Sequence, residues 1–474
     1  MLLSDQLLIL GNGFDLQCGL ASSFKDFEEP RKKKIKKLLE AYFAHGNNAA
    51  TTKGGTVEYP NGNKEQCGMS LAADLWDKGI TAWDLILIED ERVRTWYDVE
   101  ACIRDWLLNR PRGDQLRPEN RLKTVESYIR DNKFSNFVQS VEQRKPKQPG
   151  FLEFKIQVPE SAAFGNKSVD EQVAILITDW YGNNTDEASI LKAMMRELHR
   201  LEKEFSNYLN SIMEGNEEYY KSAKDLLVEL LNDQPIDSES GDTLNKIFSQ
   251  SVDSYAINGP TDSARILDFN FTNPVYEFGS TPNLINIHGD MYGEDIIFGI
   301  DGSNVDNSIE NYRELVKFTK TFRLMALSKG PKFNLVRPHL PGQPDSETTI
   351  IKFFGHSLGD PDYSYFQAIF DEVDLYESNT HLVFYYNQNR TNEKDGNKEE
   401  NKEENKEEKK EEKKEEKNDL AESAQEDMFE KVNRLITTYG QTLDNKDHGR
   451  NLMHKLLLEN RLQVIQAPGC PKES

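Results

Sequence analysis

Cysteine is scarce and scattered. The four in 474 residues, Cys18, Cys67, Cys102 and Cys470, form no C-x-x-C pair. Neither a disulfide framework nor a structural zinc site has support, and a reducing compartment, the cytoplasm, is the expected location. Also missing is any run of 18 apolar residues, so no helical membrane span is expected. Positive charge is short. Lys and Arg number 58 against 81 Asp and Glu, a net charge of −23. That disfavours general nucleic-acid binding, which needs a basic surface to release counterions, and it equally disfavours docking on an anionic membrane. The start, MLLSDQLLILGNGF, has no basic region and no small-residue cleavage site, so it reads as a first strand and not as a signal peptide.

What is present is enough for a real core. Hydrophobic residues make up 37% and aromatics 10%, and the length predicts two or three domains. Much of the polar excess lies at 393–419, where nine lysines face thirteen carboxylates in a Glu/Lys repeat. This stretch reads as a solvated insertion, with i,i+4 pairs able to support an exposed helix. It carries only −4 of the net charge, so the acidity belongs to the folded part as well.

Short apolar runs at 2–10, 284–300, 350–355 and 381–386 lie beside Gly, Asn or His and read as buried strands of a parallel sheet. Between about 30 and 255 the pattern is mostly helical. Leu191, Met194, Leu198, Leu201, Phe205, Tyr208 and Ile212 follow alternating three- and four-residue steps, an a/d seam that serves either packing within the chain or pairing between chains. FLEFKIQV and VAILIT, within 151–180, suggest a smaller piece containing strands. The turn-rich stretch 45–70 reads as a long loop or hairpin, and RKKKIKK at 31–37 as a solvated helix turn. The expected division is a nucleotide-binding domain from 1–30, 256–392 and 420–474, a mainly helical insertion over 31–255, and the Glu/Lys segment.

Chemistry-bearing residues gather at the ends of the apolar runs. LLILGNGFDLQCGL is a strand followed by Gly11, Asn12 and Gly13, with Gly19 eight residues after the first glycine. Such glycines allow either backbone approach to a phosphate above a helix N-terminus or simply a tight turn; the spacing is not the dehydrogenase fingerprint. RILDFNFTN places Asn270, Thr272 and Asn273 at a strand end. LINIHGD places His288 likewise, and IIKFFGHSLGD opens into Gly355, His356, Ser357, Leu358, Gly359 and Asp360, a turn able to offer amides and a hydroxyl to a ribose or phosphate.

Taken in order, GNGFDLQCGL, DFNFTN, IHGD and FGHSLGDPDYSYF resemble the AbiH family of bacterial abortive-infection proteins. TWYDVEACI looks like that family's W-x-D-x-E element, here Trp96, Asp98 and Glu100. The resemblance implies an α/β fold, a Rossmann-like parallel sheet flanked by helices and remotely sirtuin-like, with a large helical insertion. It implies a role in defence against phage, with a nucleotide as small-molecule partner, a phage-derived trigger and a homo-oligomer as candidate partners. Within the sirtuin-like likeness, Gly11, Gly13, Gly19 and Leu20 match the first glycine loop, Asn270 the water-positioning Asn, His288 the catalytic His before Gly, and Gly355, Ser357 and Leu358 the ribose-contacting turn. Thr272 stands where that group has Asp, Asp15 where it has a small hydroxyl residue, and the zinc cysteines are missing, which argues against deacetylation.

The implied reaction is hydrolysis of NAD⁺ at the nicotinamide–ribose bond, with NAD⁺ as substrate or ligand and no further cofactor. Asn270 would orient water, His288 would take a proton, and Asp15 would supply negative potential to an oxocarbenium-like centre. Asn12, Thr272 and Asp360 complete the candidate binding set. The rival expectation is a sensor that binds NAD or ADP-ribose without cleaving it.

Overall fold

The computed structural model describes residues 6–49, 57–58, 64–65, 71–89, 95–109, 121–131, 168–182, 186–233, 264–274, 283–293, 295–327, 335–338, 348–387 and 408–468. The chain divides into two compact units. One comprises Met1–Ser22, Leu209–Gly293 and Ser328–Ser474, the other Ser23–Tyr208 and Glu294–Leu327. The sheet unit therefore takes residues 209–233, expected from the sequence to belong to the helical insertion, and the helical unit takes 23–30 and 295–327, expected in the nucleotide-binding domain.

The sheet unit is built on β1 (Gln6–Leu10), β4 (Ala264–Asp268), β5 (Asn283–Asn286), β6 (Ile350–Phe354), β7 (His381–Tyr386) and β8 (Leu462–Gln466), in spatial order β5-β4-β1-β6-β7-β8. Every pairing is parallel. Counting these strands alone, the order is 3-2-1-4-5-6, the doubly wound Rossmann arrangement, whose direction reverses between the first and fourth strands. Here those are β1 and β6, which pair directly, Gln6 with Ile350 through Leu10 with Phe354.

Burial on both faces explains the mainly apolar make-up of β1, β6 and β7. On one face Leu267, Ile9, Phe353 and Phe384 lie in register and join Phe366, Phe370, Leu435, Ile436, Tyr439 and Leu452 in a continuous core. The alternate residues point to the other face. There Lys352, fully buried, donates from Nζ to the carbonyl oxygens of Leu230, at 2.6 Å, and Asp233, while Gln6 donates to that of Leu231. These bonds occupy the carbonyls at the C-terminal end of the helix Glu217–Asn232, which has no intrahelical donors left to offer them. Burial brings the Lys352 ammonium down to about 8.

The Glu/Lys segment is helical in its second half. From Glu408 it runs as helix to Thr442, and the apolar stripe further along, Val432, Leu435, Ile436 and Tyr439, enters the core. Residues 393–407 lie outside the described residues. That helix packs against Lys446–Leu458 with Gly440 against Gly449, backbone to backbone.

In the helical unit several expectations are corrected. VAILIT lies inside the helix Val169–Tyr181, started by a Ser168/Glu171 capping box; its β-branched residues are overridden by burial of one helical face. FLEFKIQV lies outside the described residues. The heptad residues Leu191, Met194, Leu198, Leu201 and Phe205 are buried on the helix Glu187–Met213, where Trp83 donates to the Met194 carbonyl and Phe205 meets Phe27 and Trp96. The seam is filled from within the chain. RKKKIKK lies inside the helix Phe24–Ala49, and its Arg31 is not solvated: buried, it forms a bidentate pair with Asp84 at 2.6 and 2.7 Å. Of the stretch 45–70, expected as a long loop or hairpin, residues 45–49 instead end the helix Phe24–Ala49, while β2 (Val57–Glu58) pairs antiparallel with β3 (Lys64–Glu65). The W-x-D-x-E element is architectural. Asp98 closes a capping box with Thr95, Glu100 pairs with Lys320 at 2.8 Å, and Trp96 stacks on Phe298.

Candidate functional site

The loops after β1 and β6 are packed into each other. Gly11 N–H donates to the Phe354 carbonyl and Gly13 N–H to that of Gly355, both at 2.9 Å. A Cβ on Gly11 would lie 2.5 Å from the His356 Cα, and Gly355 itself has φ +70°. These glycines let two strand-end loops touch at the switch point, where open α/β sheets bind ligands. The Gly11 and Gly13 amides are spent on that loop contact. Asn12 is held by Ser22, whose hydroxyl donates to its Oδ1 at 2.7 Å. Gly19 has a different task. It sits at φ +84° after the short helix Gly13–Gln17, its N–H donates to the Leu16 carbonyl, and Leu20 N–H donates to that of Asp15. This is the paired Schellman stop, which needs a left-handed residue.

Beneath the loop lies Asp15, 1% exposed. Tyr219, near the start of the helix Glu217–Asn232, donates its hydroxyl to Asp15 Oδ1, and Thr272 donates to Oδ2, both at 2.7 Å. Burial raises the carboxyl from 3.8 to about 6 against the pull of these two donors. Asp268, at the end of β4, is fully buried and also held well above the usual range, first by burial and then by the charge of Asp15.

The β4 turn is stitched to both neighbours. Asn270 donates its backbone N–H to Asp268 Oδ1 at 2.8 Å and its side-chain Nδ2 to the Gly11 carbonyl at 3.1 Å. Asn286, at the end of β5, donates Nδ2 to the carbonyls of Asn270 (2.9 Å) and Thr272 (2.7 Å). Asn286→Ala strips both carbonyls of their donor inside a partly buried turn. It is expected to destabilise the sheet unit by about 1–3 kcal/mol, read as a lowered chemical-denaturation midpoint with an unchanged slope.

His288 follows β5 and is 3% exposed. Its Nε2 stands 3.6 Å from Asp362 Oδ1, and Nε2 of the equally buried His356 stands 3.3 Å from Oδ2 of the same carboxylate. Phe269, the residue before Asn270, lies edge-on to both imidazoles, with centroids 5.4 and 4.6 Å away. Ser357 is half-buried in the turn after β6, and Asp360 is exposed at the start of the turn Asp360–Asp362.

The structure thus joins Asp15 to Thr272, Asn270 to Gly11 and Gly13 to Gly355, and it sets His288 and His356 edge-on to Phe269, each near Asp362. Sequence reading assigned no role to Tyr219, Asp268, Asn286, His356 and Asp362. His356 and Asp362 lie within FGHSLGDPDYSYF, where a second His two residues after a strand was the available signal. Tyr219 carried none, being 204 positions from its partner.

Among the described residues no group of three or more His, Cys, Asp or Glu is arranged to hold a metal ion, and no helix is long and apolar enough to cross a membrane. No curated protein and no solved structure matches the chain significantly. The model of a family described as AbiH, bacteriophage abortive infection, matches residues 7–386, a span that holds β4, β5, β6 and β7, all of β1 but Gln6, and all of the candidate site. The chain belongs to the AbiH family of bacteriophage abortive-infection proteins.

Proposed function

We propose that the protein acts in phage defence by hydrolysing NAD⁺ at the nicotinamide–ribose bond, on a domain of sirtuin-like descent. The observation that carries this reading is the convergence of Asn270, Asp15 and the glycine loops at the β1/β6 switch point, with a buried imidazole at the adjoining strand end. Water adds at C1′ of the ribose as the C1′–N bond breaks. The bonding pair leaves on the nicotinamide nitrogen, which becomes neutral, and the proton released by water passes to His288 and on to solvent. The amide nitrogen of Asn270 is engaged by Gly11, so water is oriented through Oδ1. Asp15 is sealed by Tyr219 and Thr272 and touches no reacting atom; its charge acts through a low-dielectric interior on the oxocarbenium-like centre. Asn12, Ser357 and Asp360 line the approach to the diphosphate and riboses. Loss of NAD⁺ halts growth without selectivity for phage molecules.

Purified protein incubated with NAD⁺, with and without extract of phage-infected cells, is expected to release nicotinamide and ADP-ribose. His288→Ala and Asn270→Ala are each expected to lower turnover at least about 10²-fold. Equal turnover in either variant removes that residue from the mechanism. A second reading, a sensor that binds the nucleotide uncleaved, is favoured by Asp15 being sealed by Tyr219 and Thr272 away from any reacting atom. Ligand-dependent thermal stabilisation without nicotinamide release selects it. Light scattering on the same samples reads any trigger-dependent assembly.

A further inference from the structure

Asp362 occupies the N-cap position of the helix Tyr363–Glu372, yet its side chain makes no capping bond. Capping is the ordinary occupation of an Asp there. Its carboxylate is turned instead toward His288 and His356, one oxygen to each. The three side chains are 13%, 4% and 4% exposed. The tautomer of His356 follows from a separate contact. Leu358 N–H donates to His356 Nδ1 at 2.9 Å, so Nδ1 carries the lone pair and the ring proton sits on Nε2, facing Asp362. Leu358 takes a left-handed φ of +54° in this turn, a strained conformation of the kind that persists at functional sites when the surroundings enforce it. His356 is therefore a fixed donor. Protonating its Nδ1 would break the Leu358 bond, so it cannot serve as the cycling base.

We infer that Asp362 is a positioning residue: one carboxylate that accepts from His356 on one oxygen and, through the other, holds His288 with its proton on Nε2. This rests on the hydrolytic reading for its consequence in turnover, but not for the tautomer. The 3.6 Å separation of His288 from Oδ1 is longer than a hydrogen bond, as catalytic contacts commonly are before ligand binds and tightens them. Phe269 and Tyr365, both edge-on to His288, restrict its ring to that orientation. An amide in place of the carboxylate keeps the shape but can donate to Nε2, turning the ring to the wrong tautomer. That same fault costs other His–Asp enzymes about 10⁴-fold in kcat with little change in geometry.

The test is nitrogen-detected NMR of ¹⁵N-histidine-labelled protein, practicable with eight histidines, on the ligand-free wild type and Asp362→Asn. The expected wild-type spectrum has the Nε2–H tautomer at both His288 and His356. In Asp362→Asn, His356 keeps it while His288 shifts toward Nδ1–H. Identical His288 tautomer populations in the two proteins overturn the inference. Should Asp362→Asn fail to fold, the wild-type spectrum decides alone, with Nε2–H at His288 for the inference and Nδ1–H against it. In NAD⁺ hydrolysis the variant is expected to lose about 10²–10⁴-fold in kcat with KM within about threefold. If the wild type hydrolyses no NAD⁺, the hydrolytic reading fails while the tautomer comparison still judges Asp362.

Discussion

Gly355→Ala is expected to lower the stability of the sheet unit by about 2–5 kcal/mol and to leave no site for a ligand. Two penalties coincide. The residue has φ +70°, which costs an L side chain about 1–2 kcal/mol. The added Cβ would also lie 2.5 Å from Phe14 N, 2.7 Å from Gly13 C and 2.9 Å from Gly11 O. All three are backbone atoms of the facing loop, so relief requires separating β1 from β6 at the switch point, and overpacking of this kind adds roughly 1–3 kcal/mol. Gly19→Ala is the internal control. Its φ is +84°, but nothing lies within 4 Å of the new Cβ, so only the conformational part is lost. Chemical denaturation of both variants separates strain from clash. Equal losses at the two positions would show that the loops can part at no cost, and the site would not depend on their contact.

Asp15→Asn is expected to do the opposite to stability, raising it by up to about 3 kcal/mol at pH 7.5 while abolishing NAD⁺ turnover. The Asp15 carboxyl titrates at about 6 in the folded protein against the ordinary 3.8 when the chain is unfolded. Between those values the folded state binds more protons than the unfolded, so stability falls as pH rises through the window. The contribution is fully present below pH 3.8 and lost above pH 6. A tenfold difference in proton affinity between the two states corresponds to about 1.36 kcal/mol. The amide removes that slope. It also removes the charge that raises Asp268. Part of the gain is returned because Asn can accept from only one of the Tyr219 and Thr272 hydroxyls through its carbonyl oxygen. The measurement is the denaturation midpoint from about pH 4 to 8, the span that brackets the titration. Parallel wild-type and variant curves would refute a buried charge at Asp15. A stable but inactive variant would mark Asp15 as a group retained for function at the expense of stability.

The strand ends that carry the site were readable in the linear sequence because parallel strands, buried on both faces, leave mainly apolar runs that stop at Gly, Asn or His. β1, β6 and β7 appear this way, as does β5 at the head of 284–300. β8 does not: Leu462–Gln466 is only partly buried at the sheet edge, and its mixed composition resembles a loop. VAILIT shows the converse failure, since a short apolar run is compatible with strand or buried helix and only its packing partners choose.

Composition and spacing alone established the acidic balance, the glycine turns and the strand-end residues Asn270 and His288, while the ordered motifs carried the family resemblance; apart from the charge count, each is written in a few adjacent positions. Tertiary closure decided the rest. It converted the heptad seam into an intrachain core and gave Gly11 and Gly355 to loop packing. It placed Tyr219 on Asp15 across 204 residues. It also turned Asp362 from helix cap to shared partner of two histidines. Those outcomes depend on which donors and acceptors remain without water once the sheet is covered, a condition that arises only when distant segments meet.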